Sequence, residues 1–165
     1  MNFEQSIVIA APRSVLFSLT QDYSRRLQWD PFLRSAHLVG GATHADVGVR
    51  ALCVARNGLS METEYVSFEP PRVTAVKMTS GPWVVAHFAG SWRFEEVGPA
   101  ETRITFAYHL EARPRWLKWL LTPLVGRVFA SDTHKRLTAL KRAVETGVTL
   151  QGSPLSLTRD EPTIS

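Results

Sequence analysis

The residues best placed to do chemistry are an acid, a cation and a phenol spread over three predicted strands. Glu64 shares parity with Val66 and Phe68 in METEYVSFE, so if those two face an interior, Glu64 faces it too. Arg50 shares parity with Leu52 and Val54 on the preceding strand, which makes it the natural partner for a carboxylate that is costly to bury alone. Set in an apolar pocket, an Arg–Glu pair can orient a carbonyl or carboxylate or polarise an enol. Tyr108 can add a hydrogen-bond donor to the same region. Arg50, Glu64 and Tyr108 are therefore the candidate catalytic groups. The alternative is a strand bulge that shifts the parity and leaves both charges in water.

Other chemistries find little support. The five histidines, at 37, 44, 87, 109 and 134, stand apart with no HxH or HExxH spacing, so no metal site is expected. Cys53 lies mid-strand without a basic neighbour in sequence, and no G-x-S-x-G elbow or phosphate-cradling glycine loop occurs. No cofactor is expected. A basic strip is present, with eight Lys and Arg against the single acid Asp132 between Arg113 and Arg142. No RNA- or DNA-binding pattern accompanies it, so a solvated helix face is expected and nucleic acid is not.

Two kinds of element must position these groups. The run from Arg113 to Gly147 carries apolar residues at gaps of three and four, among them Leu120, Leu121, Val125, Phe129, Leu137, Leu140 and Val144. A helix from Arg115 to Glu145 is about 45 Å long, with Thr122-Pro123 marking a kink or restart and Gly147 a C-terminal cap. Before it, FEQSIVIAA reads as a strand, Ala11-Pro12 opens a short helix, and Asp22 caps a second that Asp30-Pro31 stops. From Phe32 to Glu111 six strand-like runs are punctuated by Asn57-Gly58, Pro70-Pro71, Ser80-Gly81-Pro82 and Gly98-Pro99. The prediction is an antiparallel meander of about seven strands curving around one long helix. Alternation places Phe88, Trp92 and Phe94 on one face of a strand and Phe106 and Tyr108 on one face of the next. Val125 and Phe129 point back at them from the helix. These seven are the expected ligand-binding wall, with Gly90 leaving room among them.

Length and composition agree with a single α+β domain over 1–147, followed by a polar tail at 148–165 that is expected to be flexible. The chain has 165 residues, 44% hydrophobic and 21% charged, with a net charge of +4. A lone cysteine suits a reducing compartment. The start has no basic region followed by a long apolar run, and no apolar stretch of about eighteen residues occurs, so a cytoplasmic location is expected.

The order β, α, α, six β, α, with the residues that punctuate it, resembles the START-like (SRPBCC) superfamily, in particular its polyketide cyclase/dehydrase and lipid-transport branch. The resemblance rests on IAAPRSVLFSLTQDYSRRLQWDPFL, FEPPRVTAVKM, GSWRFEEVGPAETRITFAYHLEA and RLTALKRAVE, in that order, over residues 3–146. It implies a helix-grip fold with a deep cavity between sheet and helix. It also implies one of two functions. The first is binding of a small hydrophobic molecule such as a lipid, a quinone or a polyketide-like compound. The second is polyketide cyclase, aromatase or dehydratase chemistry in that cavity. The motifs are structural and carry no catalytic residue over. The segment WLKWLL beside the basic strip leaves peripheral membrane contact open, and the chain can be a monomer or a homodimer.

Overall fold

The computed structural model describes residues 2–113 and 118–147. Seven strands form one antiparallel sheet: β1 (Asn2–Ile9), β2 (Leu33–Leu38), β3 (Arg50–Ala55), β4 (Ser60–Glu69), β5 (Val73–Ser80), β6 (Val85–Gly98) and β7 (Glu101–Ala112). Three helices accompany it among the described residues: α1 (Arg13–Gln21), α2 (Arg26–Trp29) and α3 (Lys118–Glu145). The strand order is β1-β7-β6-β5-β4-β3-β2. Strands β2 to β7 run as a meander, each paired with the next, while β1 returns to pair with β7. The sequential neighbours β1 and β2 therefore lie at opposite edges, and α1 and α2 must carry the chain between them. This is the helix-grip architecture that the sequence predicts.

Local signals account for most of the boundaries. Pro12 caps α1 in an extended conformation, and its carbonyl accepts the Leu16 N–H at 3.2 Å. Asp22 ends α1 and turns the chain toward α2 through bonds from the Ser24 N–H and hydroxyl to its carboxylate. Gly147 holds φ +74° just beyond α3 and donates to the Val144 carbonyl at 3.1 Å. Pro123 does not break α3, which runs through it as one helix. The anticipated helix start at 115–117 and the tail at 148–165 lie outside the described residues.

The core sits where α1 and α3 meet the sheet. Leu137, Leu140 and Val144 of α3 are fully buried with Ile9, Leu16, Phe94, Ile104 and Leu110. Each such side chain contributes about 1.5–3 kcal/mol on leaving water. Further along α3, Gln5 of β1 donates its Nε2 to the Ala130 carbonyl at 2.9 Å, tying helix to sheet edge. None of the helices among the described residues is long and apolar enough to cross a membrane.

Candidate functional site

Beyond this core the sheet and α3 enclose a cavity of about 380 Å³. That is within the range of small-molecule sites, toward its lower end. Phe88, Trp92 and Phe106 line it from β6 and β7, and Phe129 from α3. Trp92 and Phe106 are directly opposite in the β6–β7 register, and their ring centroids are 4.7 Å apart. An antiparallel meander brings the β3–β4 and β5–β6 turns to the same end of the sheet. Asn57 and Leu59 from one turn and Pro82 and Val84 from the other line the cavity there, with Trp83 69% exposed beside them.

Two residues expected on this wall, Phe94 and Tyr108, stand elsewhere, and a third, Val125, is not described. Phe94 is one layer deeper, packed between Phe17 and Trp92. Tyr108 backs the wall rather than forming it: it stacks on Phe3 at 5.1 Å and lies behind Phe88, Phe106 and Phe129. Its hydroxyl is buried with no hydrogen-bond partner of good geometry among the described residues. Burial raises its pKa, which the nearby Thr133 hydroxyl opposes. Val125 belongs to α3, but its side chain lies outside what is described. Gly90 does not open space for a ligand. A Cβ there would meet Phe88 at 3.3 Å and Phe106 at 3.4 Å, so the missing side chain lets those two rings approach.

The polar end of the cavity is built by α2 and α3. Arg26 Nε donates to Asp30 Oδ2 at 3.2 Å, one turn along α2. Arg136 of α3 donates to the same oxygen from Nε at 3.0 Å and from Nη2 at 2.8 Å. Arg26 Nη1 also donates to the Thr20 carbonyl at 2.8 Å, and Phe32 N–H donates to Asp30 Oδ1. The Asp30 carboxylate is fully buried. Burial alone would raise its pKa, but the charges of Arg136 and Arg26 and their hydrogen bonds outweigh that and hold it below the usual carboxylate range. Rings surround the Arg26 guanidinium: Trp29 at 4.7 Å, and Trp92 and Tyr23 at 5.8 Å each. Cys53 borders the cavity nearby, and burial pushes its thiol up and keeps it protonated, against the pull of both arginines.

A chain of hydroxyls and one amide runs alongside. Tyr65 Oη donates to Gln21 Oε1 at 2.8 Å, and Gln21 Nε2 donates to Thr20 Oγ1 at 3.1 Å. Thr20 in turn donates to the Phe17 carbonyl at 3.0 Å. Tyr23 and Tyr65 share a contact of 3.2 Å between their hydroxyls. Burial raises the pKa of both phenols, so both stay protonated at neutral pH.

Arg50 and Glu64 stand apart from this site. They are Cα partners across β3 and β4, but on the face turned away from the cavity. Arg50 bonds Glu62 at 3.0 Å, and Glu64 pairs with Lys77 at 3.3 Å. The cause is a bulge in β4, where Tyr65 opposes Val76 and Ser67 opposes Ala75, leaving Val66 as the extra residue. Phe68 does reach the core, yet on the other side of the bulge it is Met61, Thr63 and Tyr65 that point inward. Parity carried back from Phe68 therefore misplaces Glu64. On β3 the inward residues are Ala51, Cys53 and Ala55, which puts Arg50 outward with Leu52 and Val54.

The groups missed from sequence are Tyr23, Arg26, Asp30, Tyr65 and Arg136. One local signal was available: Arg26 and Asp30 stand at i and i+4 in RLQWD, the spacing of a helical ion pair. Arg136 belongs to the basic strip read as solvated; the strip is exposed at Arg127 and Lys135, but Arg136 turns inward to Asp30.

The sequence profile of the family described as polyketide cyclase/dehydrase and lipid transport matches residues 1–145. A search of curated protein sequences finds no match. Among solved structures, a START superfamily protein from Mycobacterium smegmatis is similar with a TM-score of 0.74 at 13% identity, covering 88% of this chain and 97% of that one. The Zhui aromatase/cyclase from a Streptomyces species gives 0.72 at 17%, covering 93% and 98%. The di-domain ARO/CYC BexL gives 0.72 at 17%, and this chain spans 47% of its length. At these identities the likeness concerns the fold.

Proposed function

This chain belongs to the polyketide cyclase/dehydrase and lipid-transport family, and from that premise we propose that it binds a small, largely apolar molecule in the cavity between sheet and α3. The observation that carries this is the division of one cavity into an aromatic wall (Phe88, Trp92, Phe106, Phe129) and a polar end (Tyr23, Tyr65, Arg26, Arg136). A packed core has no use for such an end, because each buried polar group costs free energy unless it is satisfied. A ligand whose body is apolar and whose tip is polar uses both parts. A lipid, a quinone or a polyketide-like compound has this form.

Native mass spectrometry of the freshly purified protein, followed by organic extraction, tests the proposal. We expect a co-purifying small molecule, or saturable binding of an added apolar aromatic probe to the ligand-free protein. The probe should be lost on Trp92→Ala while the fold is kept. A protein that carries nothing and binds no such probe refutes it.

The second reading is an enzyme that cyclises or dehydrates a polyketide-like substrate. What favours it is the chemistry of the polar end. Two phenols kept protonated beside two guanidiniums can donate to a carbonyl and stabilise the enolate that forms from it, once the substrate takes the place of their present acceptors, Gln21 and Tyr65. In this reading the roles first given to Arg50 and Glu64 pass to Arg136 and Tyr65.

A further inference from the structure

We infer that the polar end of the cavity recognises the ionised oxygen of an amphipathic organic anion, of the class of an aromatic carboxylate. The inference rests on the binding function proposed above and narrows its ligand.

It follows from which protons are already committed. Three N–H groups from two cations converge on the single oxygen Asp30 Oδ2, and a fourth goes to the Thr20 carbonyl. Arg26 Nη2 and Arg136 Nη1 take no partner among the described residues, and both side chains border the cavity. Two cations share one buried anion, so this end of the cavity keeps an excess of positive charge. Asp132 also borders the cavity, but its charge bears on Tyr108, toward the Phe129 end.

In this arrangement the tyrosines hold no free donor that could take their place. Thr20 gives its proton to Phe17, so it accepts from Gln21, which fixes the Gln21 oxygen toward Tyr65. Tyr65 spends its one proton there, so Tyr23 must be the donor in the Tyr23–Tyr65 contact. Both phenolic protons are used. The charged donors left at this end are the two guanidinium nitrogens, and the neutral ones are the hydroxyl of Thr74, the second amide proton of Gln21 and the weakly donating thiol of Cys53.

Thr74 is an independent sign of a ligand. It is 1% exposed, lines the cavity, and its Oγ1 has no hydrogen-bond partner among the described residues. It is the Cα partner of Trp92, whose ring lies 5.8 Å from the Arg26 guanidinium carbon, so Trp92 links the spare hydroxyl and the spare cationic donors within one cavity. A neutral hydrophobe would leave all three unused and the excess charge desolvated. A carboxylate satisfies the charge and offers two oxygens, and its aromatic body fits against Trp92 and Phe106.

The test is calorimetric titration of the full chain with two probes of equal size, 2-naphthoate and neutral 2-naphthamide. We expect naphthoate to bind about tenfold or more tighter, as charge-assisted hydrogen bonds imply. Arg136→Gln should abolish that preference, read as the ratio of the two probes' affinities for the same variant protein. Thr74→Val lies outside the ion cluster and keeps the side-chain volume, so it guards against a folding defect. It should weaken naphthoate alone. Equal binding of the two probes, or a preference that survives in both variants, overturns anion recognition while the cavity reading stands. If neither probe binds, the binding function itself fails, and the inference with it.

Discussion

The molecule contains two sets of paired charges, one on each side of the sheet. On the outer face Lys77 reaches Glu64 at 3.3 Å and Arg50 reaches Glu62 at 3.0 Å, with the two cations about half exposed. Inside, Arg26 and Arg136 close on Asp30, whose side chain is fully buried. Both sets pair a cation with a carboxylate at similar distances, but the surroundings differ. An exposed pair such as Lys77–Glu64 gains little, about 0–1 kcal/mol, because water screens it and two long side chains must be held still. The inner cluster has given up its hydration, so each member depends on the others. The buried charges at the polar end of this cavity are carried by helices α2 and α3, whereas the charged ladder of the sheet lies on the other face.

The largest effect should come from the inner set. Asp30→Asn leaves two guanidiniums in a space with no compensating anion, and we expect a loss of about 3–5 kcal/mol in chemical denaturation. Acid should act in the same direction. The folded pKa of Asp30 lies below its unfolded value of about 3.9, so its contribution is complete above that pH and disappears as the pH falls through the folded value. The Asn variant should therefore lose stability less steeply than the parent between about pH 4 and pH 2. A loss of less than about 1 kcal/mol would make the inner cluster no different from the outer pairs and end the comparison.

A smaller effect is expected at the hydroxyl chain that adjoins the inner cluster. Tyr65→Phe takes the donor from Gln21 Oε1 and the acceptor from Tyr23 while keeping the ring. Leaving a buried amide oxygen unpaired costs about 1–3 kcal/mol. The same variant separates the two functional readings. In a binding protein it leaves the affinity for an aromatic anion nearly unchanged, because the Arg26, Arg136 and Thr74 donors remain. In an enzyme it removes a proton donor from the site, so turnover falls by about a hundredfold or more while binding persists.

How much of this was legible in the sequence depends on the range of the interaction. The strands could be read because alternation and turn residues are local, and all seven fall close to where the pattern puts them. Phe88, Trp92, Phe106 and Phe129 could be placed on one cavity for the same reason. The β4 bulge could not. Where Val66 is extruded depends on how β4 seats against β5, and nothing in METEYVSFE marks the position. Arg136 was hidden by distance. Its partner Asp30 is 106 positions away, and a cation at the edge of an amphipathic stripe reads as solvated unless that partner is known. Asp30 was masked by a second role, since an Asp before Pro31 already explains why α2 stops.

The smallest expected effect sharpens the comparison from the other side. Glu64→Gln removes a charge that is paired with Lys77 on a solvated face, so stability should change by no more than about 1 kcal/mol. Probe affinity should not move, because no atom of Glu64 borders the cavity and the β4 bulge holds its side chain on the opposite face. Any measured change should also shrink as salt is raised, since the interaction lies in water where ions screen it. The Asp30→Asn loss should persist at the same salt, because the inner cluster is shielded from those ions. A tenfold drop in binding or turnover on Glu64→Gln would mean that β4 can shift its register by one residue when a ligand enters. The two charged faces would then be alternative states of one strand, and Arg50 and Glu64 would return as candidates for the chemistry.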